Sequence, residues 1–236
     1  MVVIRKRMNI TEYSNKGSRT VNQDYVIHRS LSADSAIFVL ADGMGGYSHG
    51  EIAAQTVATK IVSFIEKNMT NYSPEDLIRE SIAFANDALM VKRMELGGKK
   101  MGTVIAVLLI LNSQAYIAWL GDSRVYKYSD GEMMTCTTDH SIVQQLSAKV
   151  NITPSIYEKY GAIVTRAVMG DELKDEIPIK VVSAQKNDVF LLCSDGFHKQ
   201  LPVEEYMASS DNTNLKCLND MASDMDDNYS FIKVEL

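Results

Sequence analysis

The sequence has few cysteines and no long apolar run, and each shortage excludes a class of protein. Its three cysteines, Cys136, Cys193 and Cys217, are an odd number and form no CxxC pair. Neither a disulfide framework nor a cysteine zinc site is therefore indicated, and a reducing, cytoplasmic location is expected. The longest apolar run, 104–111, is far shorter than the roughly 20 residues that a membrane helix needs. Residues 1–10 lack the apolar core of a signal peptide, so we expect neither a membrane protein nor an exported one.

An excess of basic charge is also missing. Lys plus Arg number 24 against 30 for Asp plus Glu, which gives a net charge of -6. This balance argues against binding to nucleic acids or to anionic membranes. No repeat, low-complexity tract or linker divides the 236 residues, and the four prolines are scattered. We predict a single domain over residues 1–236, long enough to bury a large core without metals, so that any metal site would serve chemistry.

Apolar spacing predicts strands and helices in blocks. The run 35–40 reads as a buried strand that leads into Asp42 and a glycine-rich loop. Residues 52–68 have helical spacing, and Ser73-Pro74 begins a second helix with a capping serine and a proline in its first turn.

The second half of the chain adds mostly strands. Predicted strands cover 103–111, 114–120, 125–128, 133–137, 177–182, 189–193 and 229–234, and predicted helices cover 140–150 and 213–225, with an irregular stretch up to Gly170. Short connections indicate antiparallel neighbours. Because strands and helices do not alternate strictly, the pattern favours an α+β fold of antiparallel sheets covered by helices.

Several aspartates lie at the end of an apolar strand or beside a glycine: Asp42, Asp122, Asp195 and Asp227. An isolated Asp-Gly pair is usually a turn, and we assign Asp130-Gly131 to a turn. Clustered carboxylates repel one another unless they are protonated or bind cations. With oxygen ligands and no suitable His/Cys set, Mg²⁺ or Mn²⁺ fits better than Zn²⁺.

Seven short motifs follow one another along the chain, and their order can be compared with that of known families: Arg19-x-x-Asn22-Gln23-Asp24, Asp42-Gly43-Met44-Gly45-Gly46, Gly121-Asp122-Ser123-Arg124, Asp139-His140-Ser141, Thr165-Arg166-Ala167, Ser194-Asp195-Gly196 and Asp227-Asn228. From about Arg19 onward the chain resembles the PPM (PP2C-like) family of metal-dependent Ser/Thr protein phosphatases, particularly its compact bacterial members. The resemblance implies a four-layer αββα sandwich, in which two central antiparallel sheets are flanked by helices.

The resemblance also implies a ligand set for two Mn²⁺ or Mg²⁺ ions. Asp42 matches the residue that bridges the two ions, and Gly43 the residue that contributes its backbone carbonyl. Asp195 and Asp227 match the residues that complete the centre, and Asp24 matches an acidic residue that supports the site through water.

Two more positions carry implied roles. Asp122 matches the ligand of a third, weaker ion, and Arg19 matches the arginine that binds phosphate. Such a site would hydrolyse phosphoserine and phosphothreonine directly with metal-activated water and without a phosphoenzyme. The implied partners are phosphorylated proteins and a cytoplasmic Ser/Thr kinase, with no nucleic acid and no membrane.

Some points stay open in the sequence. A small-molecule phosphomonoesterase and a pseudophosphatase that binds phosphoproteins are alternatives. Met44 stands where eukaryotic relatives often carry a histidine, so the general acid is unassigned, and the flap segment 149–162 lacks a His-Pro element. Asp226 adjoins Asp227, and only the following Asn228 selects Asp227 as the ligand. The four dispersed histidines are assigned structural or surface roles, with His140 supporting its own motif.

Overall fold

The computed structural model describes residues 8–44, 49–208 and 211–236, which form two antiparallel five-stranded sheets with helices on their outer sides. The strands are β1 (Asn9–Asn15), β2 (Asp24–Ser32), β3 (Ser35–Gly43), β4 (Thr103–Leu111), β5 (Gln114–Leu120), β6 (Arg124–Ser129), β7 (Glu132–Cys136), β8 (Ile179–Ser183), β9 (Val189–Cys193) and β10 (Tyr229–Glu235). The helices are α1 (Gly50–Asn68), α2 (Pro74–Glu95), α3 (Ile142–Ser147), α4 (Pro154–Tyr160), α5 (Asp195–Gln200), α6 (Val203–Ala208) and α7 (Asp211–Asp220), followed by a 3₁₀ turn at Ala222–Asp224.

The layers follow from three apolar clusters. The first sheet has the order β1-β10-β9-β6-β7, and the second has the order β2-β3-β4-β5-β8. One cluster joins α1 and α2 to the second sheet, another lies between the sheets, and the third joins the first sheet to α5, α6 and α7. The predicted four-layer αββα sandwich is confirmed. No helix in the described ranges is both long enough and apolar enough to cross a membrane.

The elements with the clearest apolar pattern match their predictions. Strands β4, β5 and β9 have the predicted bounds, and α1 ends at Asn68 as expected. Helix α2 begins at Pro74, where the Ser73 side chain accepts a hydrogen bond from the Asp76 backbone N–H. The turn at Asp130-Gly131 joins β6 to β7, with both residues at positive φ.

One predicted pairing is wrong. The short link at Gly121-Asp122 suggested that β5 and β6 are antiparallel neighbours, but they lie in different sheets. Gly121 has φ of +114°, and an added Cβ there would overlap the Val104 side chain. This conformation, which favours glycine, takes the chain from one sheet to the other over a very short distance.

Other differences concern polar or short elements. Strands β1 and β2 were not predicted, because partly exposed polar residues obscure their alternation. Helix α4 lies in the stretch predicted to be irregular, although Thr153 caps it and Pro154 begins it. Helix α3 is shorter than predicted, α6 was missed, and the last predicted helix divides into α7 and the 3₁₀ turn. Asp195 begins α5 directly after β9.

Candidate active site

Antiparallel pairing in the first sheet brings three of the predicted aspartates to one end of it. Strand β9 ends at Cys193, which pairs with Arg124 at the start of β6 and with Phe231 near the start of β10. Asp195 follows β9, while Asp122 precedes β6 and Asp227 precedes β10. These three residues are far apart in the sequence and close together in the fold.

The second sheet contributes the remaining carboxylates. Asp24 and Asp42 are paired residues at one end of β2 and β3. Asp42 lines a cleft of about 830 Å³, together with residues at the ends of strands from both sheets. The predicted residues that line this cleft are Arg19, Asp42, Gly43, Asp122, Asp195 and Asp227. Asp24, which is only 8% exposed, does not line the cleft and has Asp42 as its neighbour on the adjacent strand.

Burial and crowding make these carboxyl groups unusual acids. Both side-chain oxygens of Asp24 are buried and accept no well-formed hydrogen bond. Burial raises the pKa of Asp24 to about 7, which the nearby Ser230 and Ser194 hydroxyls only partly offset. Burial, and then the negative charges of Asp24 and Asp195, raise the pKa of Asp42 well above its usual range. The cleft is therefore short of positive charge.

This donor set fits hard divalent cations. Carboxylates and a backbone carbonyl are the oxygen ligands that Mg²⁺ and Mn²⁺ prefer, and the unpaired oxygens of Asp24 lack a compensating partner. In the described ranges, no three Asp, Glu, His or Cys side chains lie close enough together to form a preformed metal site. The aspartates instead surround an open cleft. The Thr103 hydroxyl donates a hydrogen bond of 2.8 Å to the Asp42 carbonyl and fixes that backbone.

Gly43 is placed where the chain must approach other backbone closely. Its N–H donates to the Gln23 carbonyl over 3.0 Å, and an added Cβ would overlap the Gly50 carbonyl. A side chain at this position would displace the start of α1. Gly45 and Gly46, which complete the sequence motif, lie outside the described residues.

Lys199 introduces a cation that the sequence analysis missed. Its Nζ lies 2.8 Å from Asp195 Oδ2 and 3.0 Å from Asp122 Oδ2. Burial alone would raise the pKa of Asp195, but the Lys199 ammonium holds it below the usual range. Burial and the charge of Asp195 raise the pKa of Asp122, and Lys199 opposes them. The sequence signal was weak, because a lysine four residues after an aspartate is a common helical surface pair.

Arg19 lies at the rim of the cleft, beyond the end of β1. Its Nη2 is 3.0 Å from Asp227 Oδ2, and its Nε donates to the Asp226 carbonyl over 2.9 Å. Asp227 lines the cleft, whereas Asp226 offers only its backbone to Arg19. The choice of Asp227 as a metal ligand stays a prediction.

Asn228 fixes the loop that carries Arg19. Its Oδ1 accepts a hydrogen bond from the Gln23 N–H, and its Nδ2 donates to the carbonyls of Lys16 and Val21. In the sequence, Asn228 is only the marker that distinguishes Asp227 from Asp226. The structure makes it the residue that ties the start of β10 to residues 16–23.

His140 supports the loop at Asp122, whereas the sequence predicted that it supports its own motif. Its Nδ1 accepts from the Gly121 N–H over 3.2 Å, and its ring stacks on Trp119 with 5.7 Å between the ring centres. Burial, followed by the charge of Arg166, lowers the pKa of His140 to about 4. The ring is therefore neutral at pH 7 and can keep accepting this hydrogen bond.

The flap segment 149–162 reaches the cleft through its last residue, Ala162. Residues 163–167, which follow it, and Met44 also line the cleft. The thioether of Met44 has no proton to donate, so it cannot serve as a general acid. The general acid stays unassigned.

Comparison with known proteins agrees with this fold and site. The family model for protein phosphatase 2C matches residues 12–228. The chain is 32% identical to the protein phosphatase PhpP of Streptococcus pneumoniae over 195 residues, covering 79% of this chain and 77% of PhpP. The crystal structure of the Mycobacterium tuberculosis Ser/Thr phosphatase PstP superposes with a TM-score of 0.81 at 25% identity, covering 97% of this chain and 98% of that one. The PstP catalytic domain in complex with two manganese ions gives a TM-score of 0.80 at 25% identity and 97% coverage of each chain.

The two facing sheets and their acidic cleft are thus those of the metal-dependent Ser/Thr protein phosphatases. The chain belongs to the protein phosphatase 2C family.

Proposed function

We propose that this protein hydrolyses phosphoserine and phosphothreonine in proteins by direct transfer of the phosphoryl group to water. The observation that carries the proposal is the convergence of Asp42, Asp122, Asp195 and Asp227 on one cleft, with the buried Asp24 as the strand neighbour of Asp42. Buried carboxylates that repel one another are the environment that divalent cations stabilise.

The residues divide into metal ligands and a phosphate-binding group. Asp42, the Gly43 carbonyl, Asp195 and Asp227 would hold two Mn²⁺ or Mg²⁺ ions, with Asp24 supporting them through water. When bound, such ions neutralise phosphate charge and lower the pKa of water. The side chains fix where the phosphate lies and keep the cleft anionic when no metal is bound.

Arg19 would orient the substrate. Its side chain is 54% exposed at the mouth of the cleft, where an incoming phosphate arrives. A planar guanidinium can bind two phosphate oxygens through parallel hydrogen bonds. The Asp227 carboxylate that now holds Arg19 would be shared with metal, which weakens that ion pair and leaves the guanidinium available to phosphate.

Neither Cys193 nor Ser194, the residues that precede Asp195, has the features of a covalent nucleophile. Burial raises the pKa of the Cys193 thiol well above its usual range, so the thiol stays protonated. The Ser194 hydroxyl is fully buried and accepts a hydrogen bond from the Ser230 N–H. Direct attack by water is the route that these environments favour.

Rapid-quench analysis of a ³²P-labelled phosphothreonine peptide tests the route. We expect labelled phosphate to be released with no label on the protein at any time. Labelled protein that forms and decays at the turnover rate would contradict direct hydrolysis.

The same assay with free phosphothreonine distinguishes a protein phosphatase from a small-molecule phosphomonoesterase, because the leaving group is identical. We expect kcat/KM to be at least about tenfold higher for the peptide, since binding energy from the rest of the peptide is then available. Equal values would favour the small-molecule activity, and peptide binding without turnover would favour a pseudophosphatase.

We further propose that the protein opposes a Ser/Thr kinase in the cytoplasm, as one phosphatase domain over residues 1–236. A phosphoserine or phosphothreonine substrate requires a kinase to produce it. All three cysteines are free thiols, which supports a reducing compartment. Phosphoproteome comparison of cells with and without the protein would identify its substrates, and unchanged phosphoserine and phosphothreonine levels would contradict this role.

A further inference from the structure

Lys199 is the one cation whose side chain the described structure places against two of the cleft aspartates at once. It lies one helical turn after Asp195 on α5, and its side chain is 25% exposed. Its Nζ contacts Oδ2 of both Asp195 and Asp122, while the Asp122 side chain is only 6% exposed. These distances are those of charge-assisted hydrogen bonds to both carboxylates.

The preceding residue strengthens this arrangement. His198 Nε2 lies 2.9 Å from the Asp122 carbonyl oxygen, so a neutral His198 can donate a hydrogen bond to it. Two successive residues of α5 therefore hold Asp122, one through its backbone and the other through its carboxylate. Asp122 is fixed to α5 and not left pointing freely into the cleft.

A tethered ammonium and a metal ion would compete for the same oxygens. The chain has already ordered Lys199 beside the carboxylates, so the lysine loses no translational freedom when it pairs with them. A metal ion bound there would displace Lys199, so the ammonium would lose its two carboxylate partners. The displaced ammonium would also lie beside a second positive charge. Both effects disfavour an additional ion between Asp122 and Asp195.

We propose that Lys199 is the resident cation of the Asp122–Asp195 pair, so that Asp122 does not ligate a metal and the cleft takes two ions instead of three. This inference rests on the proposed two-metal centre and replaces the third ion that the family resemblance implied. Lys199 acts as a positioning residue: it holds Asp122 and one oxygen of Asp195, and leaves the other Asp195 oxygen for metal.

Mn²⁺ stoichiometry tests the proposal without measuring activity. Isothermal titration and electron paramagnetic resonance of free Mn²⁺ should count two ions per wild-type chain at millimolar Mn²⁺. Lys199→Met keeps the length of the side chain and removes its charge, and should bind a third ion. Lys199→Arg keeps the charge and should bind two, as should Lys67→Met, which alters an exposed lysine on α1.

Three ions in the wild type, or two in Lys199→Met, would overturn the inference while leaving the two-metal centre intact. Failure of the wild type to bind Mn²⁺ at all would refute both that centre and this inference.

A second measurement does not depend on Lys199→Met, in case that variant does not fold. Nitrogen-15 NMR of lysine ammonium groups, in Mg²⁺-saturated protein, should show a slowly exchanging Nζ signal that is absent from Lys199→Arg, in addition to any from the more deeply buried Lys127 and Lys233. Disappearance of that signal as Mg²⁺ saturates the protein would show that metal displaces Lys199, and would overturn the proposal.

Discussion

The buried carboxyl groups at the cleft lower the stability of the metal-free protein, and this loss of stability can be measured. Asp24 is buried with no well-formed hydrogen bond to its carboxylate, and Asp42 lies beside it on the next strand. Groups that a protein holds in an unfavourable ionisation state are often functional. Replacing such groups should therefore separate stability from activity.

Asp42→Asn should abolish metal-dependent turnover while stabilising the metal-free protein. Burial and neighbouring carboxylates disfavour its charge, so a neutral amide relieves repulsion. We expect the melting temperature in EDTA to rise by roughly 2 °C or more, corresponding to about 1 kcal/mol in a chain of this size. Activity should fall by more than the roughly hundred-fold that loss of an outer-shell partner costs. A lower melting temperature in EDTA would contradict this account.

Asp24 should make the metal-free protein less stable as the pH rises. Its pKa is about 7 in the folded chain and about 3.9 when unfolded, so the folded state binds the proton more tightly between these values. Its contribution to stability is therefore present below about pH 4 and lost as the pH rises to 7.

The stability advantage of Asp24→Asn over wild type should therefore grow from pH 5 to pH 8, by roughly 2–4 kcal/mol in EDTA. Chemical denaturation at several pH values would measure it, with Asp130→Asn, in an exposed turn, as the control. An advantage that does not change with pH would contradict the burial argument.

Arg19→Lys should impair substrate use without affecting stability. The lysine keeps the charge but loses the planar pair of donors, so we expect kcat/KM for a phosphopeptide to fall by about 10–100-fold. The surface ion pair with Asp227 contributes little to folding. Arg29→Lys is a matched control, because Arg29 is also 54% exposed and pairs with Glu66. Equal effects of the two substitutions would contradict a phosphate-binding role for Arg19.

At the scale of elements, the apolar runs and the hairpin pairs β4–β5 and β6–β7 were predictable, and the pairings between strands distant in the sequence were not. Strands β4 and β5 are nearly continuous apolar runs whose bounds follow from the sequence, whereas β1 and β2 carry polar residues on partly exposed faces. Local periodicity also cannot show that β5 and β6 belong to different sheets, because that depends on the conformation of a single glycine. Lys199 was missed for a similar reason, since its second partner comes from another strand.

Gly121→Ala should therefore be far more damaging than an ordinary glycine substitution. Gly131 is the matched control, since it also has positive φ but has open space where its Cβ would be. We expect Gly131→Ala to cost about 1–2 kcal/mol of unfolding free energy from backbone strain. Gly121→Ala should cost at least about 1–3 kcal/mol more, because its Cβ meets Val104. Urea denaturation measures the unfolding free energy of both variants. Equal losses would contradict the claim that the conformation of Gly121 takes the chain from one sheet to the other.

At the scale of the whole molecule, the fold assembles a site whose parts are scattered along the chain. Motif order was enough to name the aspartates and Arg19. Asp42, Asp122, Asp195 and Asp227 lie beside a recognisable strand end or glycine, and Arg19 was selected by its placement before Asn22-Gln23-Asp24. The sequence could not show how their charges are balanced. That depends on which strands pair, on the burial of Asp24 and on the reach of Lys199 from α5.

The central claim is that this cleft is a metal-dependent phosphatase centre organised around Asp42. Its most direct test is hydrolysis of a phosphothreonine peptide by protein treated with EDTA, before and after Mn²⁺ is added, for wild type, Asp42→Asn and Asp130→Asn. We predict no turnover in EDTA, restoration by Mn²⁺ in wild type and Asp130→Asn, and none in Asp42→Asn. Turnover without metal, or Mn²⁺-restored turnover in Asp42→Asn, would contradict the claim.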